Sequence, residues 1–151
     1  MKITMAMEGG YNAYLGIKGL VWGGSEVGAA DLAASWQGKG TYTGVDNWRN
    51  ITLGEGKYIV GGLPGQSNFY TTLGGLERSG YDHVKLFEGL QIAPHPQLGY
   101  RTMVGVYQAS EDIPAAFGNT YANPQFGGGG LPQIFIPNYS NLQLIKTIPL
   151  K

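Results

Sequence analysis

The sequence predicts a single compact α+β domain dominated by short antiparallel strands, with two short helices between residues 72 and 90. Three observations carry this. Short runs of β-branched and aromatic residues recur between glycines and Asn/Asp pairs, as in Lys57-Tyr58-Ile59-Val60. Glycine is abundant, 26 residues without a G-X-Y period, which excludes collagen and favours a loop-rich sheet. Two N-cap and C-terminal glycine signals, Thr72…Gly80 and Asp82…Gly89, bracket stretches too short for anything but brief helices.

In chain order, residues 1–36 read as a Gly/Ala-rich lead-in from a preceding region. It is partly helical around Asp31–Trp36 and docked through Trp22 and Trp36. The domain proper, 37–151, begins with the glycine-punctuated boundary QGKGTYTGVDNWRN. Ile51–Leu53 and Lys57–Val60 are strand candidates. Helices are expected over Leu73–Ser79 and His83–Glu88. Pro94 and Pro96 hold His95 in extended structure. Tyr100–Tyr107 alternates as a strand, with Val104 and Val106 on one face and Arg101, Met103, Gly105 and Tyr107 on the other. Ile113-Pro114 restarts the chain, Phe117-Gly118-Asn119 reads as a turn, and Thr120–Ala122 as a short strand. Residues 133–136 and 142–149 are the last two strand candidates.

Composition excludes several function classes. The net charge is +0 with 13% charged residues, so there is no global electrostatic footprint for nucleic acid or anionic membrane. With no cysteine there is no disulfide and no thiolate zinc site. Such a chain suits a reducing cytoplasm, or unfolding and threading across a membrane beforehand. Met1–Met7, followed at once by Glu8-Gly9-Gly10, reads as no signal peptide. No apolar run approaches the ~20 residues of a membrane span. His83 and His95 lack a nucleophile motif and lack carboxylates at metal-ligand spacing, so no metal is expected. Neither glycine cluster ends in G-K-[ST] or forms G-x-G-x-x-G before a long helix. Glu77, Glu88, Glu111 and Asp112 form no obvious catalytic pair.

Two stretches stand apart. In NPQFGGGGLPQIFIPN, residues 123–138, four consecutive glycines lead into a strand-like run with Gln133 at the loop–strand junction, a common place for a ligand-facing polar group. The competing reading is a flexible surface loop before an edge strand. In GGLPGQSNFYTT, residues 61–72, the groups of Gln66, Ser67 and Asn68 precede Phe69 and Tyr70 and suit a ligand wall, against the alternative of an ordinary turn with both rings in the core. Together the candidates are aromatics, amides, glycine backbone and Arg101. That set suits a planar, phosphate-bearing ligand bound without a metal. Arg101 suits bidentate phosphate contact, Tyr70 stacking on a ring, and Gln133 orientation of a ribose or water.

KYIVGGLPGQSNFYTT, LFEGLQIAPHPQLGYR and VYQASEDIPAAFGNTYANPQFGGGGLPQIFIPN resemble the C-terminal toxin domains of bacterial polymorphic toxins, including contact-dependent inhibition proteins of the filamentous haemagglutinin type. The last block is similar to the tuberculosis necrotizing toxin family of NAD glycohydrolases. Tyr107, Pro114, Gly118, Phe126-Gly127, the following glycines, Gln133 and Phe135 fall in that family's order. The family's D-R-F-G start is replaced by GGLPGQSNFY, and its histidine beside the Y-x-V strand is absent, with Val104, Gly105 and Val106 there.

The resemblance implies an ADP-ribosyltransferase-like or necrotizing-toxin-like fold. It implies a metal-independent NAD(P)+ glycohydrolase toxin of interbacterial competition that needs no cofactor, NAD+ or NADP+ being the substrate. Gln133, Arg101 and Tyr70 would be catalytic. Gln66, Ser67, Phe69, Phe126, Gly128 and Gly129 would bind substrate. The toxin would be secreted within a larger effector, meet membrane only in transit, act in the target bacterium's cytoplasm and be neutralised by a cognate immunity protein. Alternatives are an ADP-ribosyltransferase toxin, which would need Glu88 or Glu111 aimed at the ribose, and a non-enzymatic binding module of an adhesin. A metal-independent nuclease is disfavoured by neutral charge and scarce histidine.

Overall fold

The computed structural model describes residues 28–151 in full and, before them, the backbone of four three-residue strands. These form two antiparallel pairs, β1 (Ala6–Glu8) with β2 (Gly10–Asn12) and β3 (Leu20–Trp22) with β4 (Ser25–Val27). The expected docking of Trp22 lies outside the described side chains. Then follow α1 (Ala29–Ser35), β5 (Arg49–Leu53), β6 (Tyr58–Leu63), β7 (Phe69–Tyr70), α2 (Leu73–Arg78) and α3 (His83–Gly89). The chain continues with β8 (Met103–Ala109), β9 (Ile113–Asn119), β10 (Pro132–Phe135) and β11 (Leu142–Pro149).

Two antiparallel sheets result, one ordered β5-β9-β10-β7 and the other β11-β8-β6. They meet where Val60 and Thr71 exchange backbone hydrogen bonds of 2.8 Å in both directions. The strand period of two divides the apolar residues among three cores. Ile59 faces the space between the sheets with Tyr70, Tyr107, Ile113, Ile134 and Ile136. Its neighbour Val60 faces the other way with Val104 and Val106, packing on Leu76 and Leu86 of the helices. On the outer face of the larger sheet, Ala29 and Ala33 of α1 pack on Ala116 and Phe135. Residues 29–36, read from sequence as lead-in, are thus packed against the same sheet as the rest. Small side chains are needed there because α1 lies close to β9.

Both capped helices form, with the N-caps the sequence signals. The Thr72 hydroxyl accepts the Gly75 N–H at 2.9 Å, and Gly80 closes α2 at φ 67. Thr72→Ala should cost about 1 kcal/mol of unfolding free energy in a denaturant titration, with the slope unchanged. The Asp82 carboxylate accepts the Lys85 N–H at 3.0 Å, and that bond holds its carboxyl below the ordinary range. The cap is therefore present above the unfolded pKa and lost as pH falls through the lowered folded value.

Helix α3 runs one residue further than expected, through Gly89. A Cβ at Gly89 would lie 2.6 Å from Leu131 Cδ1, so this glycine serves close packing rather than termination. The left-handed turn falls instead on Gln91, at φ 52.

The largest correction concerns residues 113–122. The turn expected at Phe117-Gly118-Asn119 and the strand expected at Thr120–Ala122 are replaced by one continuous strand, Ile113–Asn119, in the interior of the larger sheet. Flanking strands override local turn chemistry here. Pro114 sits opposite Thr52 of β5 but beyond the reach of β10, which pairs only as far as Ala116, so at this position β9 has a neighbour on one side only, where a proline is tolerated. Gly118 suits its place because the Trp48 ring and the Asn47 carbonyl would lie a tight 3.3 Å from a Cβ there. Similarly β6 runs on through Gly61-Gly62 to Leu63, and β8 starts at Met103, leaving Arg101 just before it.

Candidate functional site

Strand β10 places the centre of the site. Gln133 and Phe135 project toward α1, while Ile134 enters the core between the sheets. Gln133 is only 4% exposed. Its side-chain amide has no hydrogen-bond partner among the described residues. Leaving a buried amide unpaired costs roughly 1–3 kcal/mol. Every other buried amide side chain in this region is paired, so Gln133 stands out as a group held ready for a ligand.

Gln133 opens into a cleft of about 230 Å³, with a recess of about 30 Å³ beneath it toward Gly61 and Gly62. Gln133, Arg101, Ser67 and Phe69 line both. The aromatic wall is built from sequence-distant pieces. Trp36 meets Phe69 edge-on at 6.1 Å, and Phe69 lies 5.1 Å from Phe135. Trp36 is 55% exposed, a large apolar face presented to solvent at the cleft.

Arg101 lies across Gly62. A Cβ there would come 2.9 Å from Arg101 Cδ and 3.1 Å from Nη1. Gly61 likewise makes room for the Tyr70 ring, at 2.8 Å from the hypothetical Cβ. The glycine pair in β6 is thus what lets a guanidinium lie on a strand. Among the described residues Arg101 makes no ion pair, so its charge is available to an anion.

Residues 37–46 form the outer wall and are locked by a buried carboxylate. Asp46 accepts from the Tyr121 and Ala122 N–H groups on Oδ1, at 2.9 and 2.8 Å, and from Gln37 Nε2 on Oδ2 at 2.9 Å. Gln37 Oε1 in turn accepts from Asp46 N and Trp48 Nε1. Asn123 pairs with both backbone groups of Gly44. The Tyr42 hydroxyl accepts the Ala93 N–H at 3.0 Å. Gln91, which also lines the cleft, spends its amide on the backbone of Asn123 and Gly127.

Of the remaining sequence candidates, Tyr70 borders only the recess beneath the cleft, and the others line neither cavity. Tyr70 is 2% exposed, stacked edge-on against Tyr107 at 5.7 Å inside the core. Burial pushes its hydroxyl far above the ordinary phenol range, and Gln66 Nε2 donates to it at 2.8 Å. It is a neutral floor residue, with no open face for stacking and no capacity as a base. Gln66 serves it rather than the cleft. Phe126 backs Tyr42 at 5.2 Å, one layer behind the wall.

The glycine run does approach another backbone closely, but that backbone is the end of α3. Gly129 N donates to Glu88 O and Leu131 N to Gly89 O, both at 3.1 Å. Gly127, Gly129 and Gly130 have φ of 139, 71 and 96. Gly128 and Gly129 therefore position Gln133 through the loop instead of lining the cleft. Trp36, Gln37, Tyr42 and Gln91 were missed by sequence reasoning. Trp36 at a helix end was a usable signal; a non-glycine left-handed residue such as Gln91 carries none.

Comparison with known proteins gives the family. None of the curated proteins matches. Among solved structures, Rhs1-CT in complex with its cognate immunity protein RhsI1 is 38% identical, with a TM-score of 0.80 over 83% of this chain and 98% of that one. Tse6 in complex with Tsi6 shares the fold at 17% identity and a TM-score of 0.50, over 78% of this chain and 91% of that one. Tne2 in complex with Tni2 does so at 10% and 0.51, over 70% and 95%. The α+β antiparallel fold and the toxin-domain resemblance are both borne out by these likenesses. A family model, the Rhs1 C-terminal toxin domain, matches residues 25–138. The chain belongs to the Rhs1 C-terminal toxin domain family, toxin domains carried into target cells as part of larger effectors.

Proposed function

We propose that this toxin domain is an NAD(P)+ glycohydrolase that acts in the cytoplasm of the target bacterium. The observation that carries the reading is the buried Gln133 amide, unpartnered among the described residues, in an aromatic-walled cleft that also holds Arg101, without an ion pair among those residues. Cleavage of the nicotinamide–ribose bond needs little acid chemistry, because nicotinamide leaves as a neutral base. It needs an oxocarbenium-like ribose to be positioned and stabilised. Arg101 binds the pyrophosphate bidentately. Gln133 holds the ribose or the attacking water. Phe69 and Trp36, in place of Tyr70, take the flat nicotinamide ring against the wall. Water adds to the anomeric carbon, nicotinamide departs and one proton is released, giving ADP-ribose.

Transfer onto a macromolecule is the second reading, and the placement of the carboxylates favours hydrolysis over it. Glu88 lies exposed on α3, and Glu111, which accepts from Asn141 Nδ2 at 3.2 Å, lines neither the cleft nor the recess. Among the described residues no carboxylate lines the cleft. A cognate immunity protein covering this cleft would neutralise the toxin, in keeping with the immunity complex of the 38%-identical relative.

The test is NAD+ depletion by the purified domain, wild type beside Gln133→Ala, with labelled NAD+ and lysate in parallel. Rapid loss without protein labelling supports hydrolysis. A labelled band supports transfer, and no loss from a folded wild type sinks both enzymatic readings in favour of binding alone. The Gly62→Ala variant checks the arginine. Its new methyl group displaces a flexible, exposed side chain, so the melting temperature should hold while kcat/KM falls about tenfold.

A further inference from the structure

Arg101 borders two cavities. On the side away from Gln133 lies an open groove of about 930 Å³ between the end of β6 and residues 92–103. Leu63, Pro64, Ile92, Tyr100 and Met103 give it apolar walls. Its floor is Phe87, on which Tyr100 lies stacked, centroids 5.8 Å apart and planes 15° from parallel. Leu98 projects from its rim at 81% exposure. The rim turn is closed by reciprocal 3.0 Å bonds between His95 and Gly99. His95 Nδ1 accepts from the Gln97 and Leu98 N–H groups, both at 3.1 Å, which leaves Nε2 as an N–H donor. The lining therefore holds one cation, one ring donor and aromatic area and no carboxylate of its own among the described residues; burial, and then the nearby Glu88 carboxylate, raise the Tyr100 hydroxyl above the ordinary phenol range.

Size separates the two cavities. The Gln133 cleft, about 230 Å³, falls below the roughly 300–1,000 Å³ that encloses a whole small-molecule ligand. That is room for about one half of a dinucleotide. The groove continues from it through Arg101, Ile92 and Phe87. We propose that this groove takes the adenosine half of the dinucleotide, the purine against the Tyr100–Phe87 stack and the phosphates on Arg101 between the two cavities. The assignment rests on the dinucleotide reading above. The arrangement makes Arg101 the hinge of recognition: the nicotinamide riboside lies to one side of it and the adenosine to the other.

Half-ligands separate the two sides. Binding of 5′-AMP and of nicotinamide mononucleotide to the purified domain is measured by calorimetry for wild type, Tyr100→Ala, Tyr100→Phe and Leu98→Glu. The AMP affinity should fall about tenfold in Tyr100→Ala, where a stacking face is lost, and be retained in Tyr100→Phe. Leu98→Glu, at an exposed position that leaves the fold alone, should weaken AMP through a carboxylate at the rim. Nicotinamide mononucleotide should bind all four alike. The proposal is overturned if AMP does not bind wild type, if it binds Tyr100→Ala and Leu98→Glu as well as wild type, or if both half-ligands weaken together. NAD+ and NADP+ loss in the same preparations reports separately on the glycohydrolase reading. Dinucleotide consumed with AMP indifferent to the groove variants removes only the groove assignment. Neither dinucleotide consumed removes the activity.

Discussion

Gln133→Met is expected to abolish NAD+ consumption while leaving the domain as stable as wild type or more so. The side chain is 4% exposed and its amide is unpartnered among the described residues. Wild type therefore carries a desolvation cost that no internal hydrogen bond offsets. Methionine is close in volume and removes that cost, so unfolding free energy should rise by about 1 kcal/mol. Turnover should drop by about 10²–10³, the usual consequence of removing one preorganised polar group from a reacting centre. The pair of measurements separates two roles. A structural glutamine would lose stability on this substitution, whereas a ligand-facing one trades stability for function. Retention of turnover in Gln133→Met would end the case for this residue.

Asp46→Ala is expected to be the most destabilising single polar change in the domain, by about 3 kcal/mol in chemical denaturation. The carboxylate is 6% exposed and accepts three hydrogen bonds, two from the backbone of residues 121–122 and one from Gln37. Its removal strands both N–H groups and frees the Gln37 amide. Bonds to a charged acceptor are worth roughly 1.5–3 kcal/mol each, though neighbours sharing one acceptor do not add fully. Asp46→Asn keeps an oxygen for the two backbone donors and should cost about 1 kcal/mol. The effect should reach function as well. Asp46 fastens the segment carrying Gln37 and Tyr42, so the outer cleft wall loosens and KM for NAD+ should rise more than kcat falls. An Asp46→Ala protein with wild-type stability would show that this network is dispensable.

Much of the candidate cleft was legible because its signals are local. Gln133 after the glycine run and Arg101 before the Tyr107 strand mark themselves by position, and Ser67 and Phe69 by their place after a Gly-Pro-Gly loop. The structure brings all four to one cleft. Their neighbours Tyr70 and Phe69 look equivalent in sequence, yet a two-residue strand sends one ring into the core and the other to the wall. Strand register, which depends on pairing with β10, makes that choice.

The sequence alone determined most secondary-structure types outside residues 113–122, both helix N-caps, the shared face of Val104 and Val106, and the chemical character of the cleft. Those features depend on periodicity and on residues within one turn of each other. Tertiary structure decided what depends on distant partners. It made Ile113–Asn119 an interior strand despite Pro114 and Gly118, because strands on both sides supply the pairing. It turned the glycine run toward α3, because only residues without a Cβ can pass the Glu88 backbone at Gly127 and the Thr120 backbone at Gly129. It also brought Trp36 and Tyr42 to the wall through Asp46, whose three bonds join segments 75 or more residues apart with one only nine away. No window of sequence contains those contacts, since each forms only after the sheets have paired.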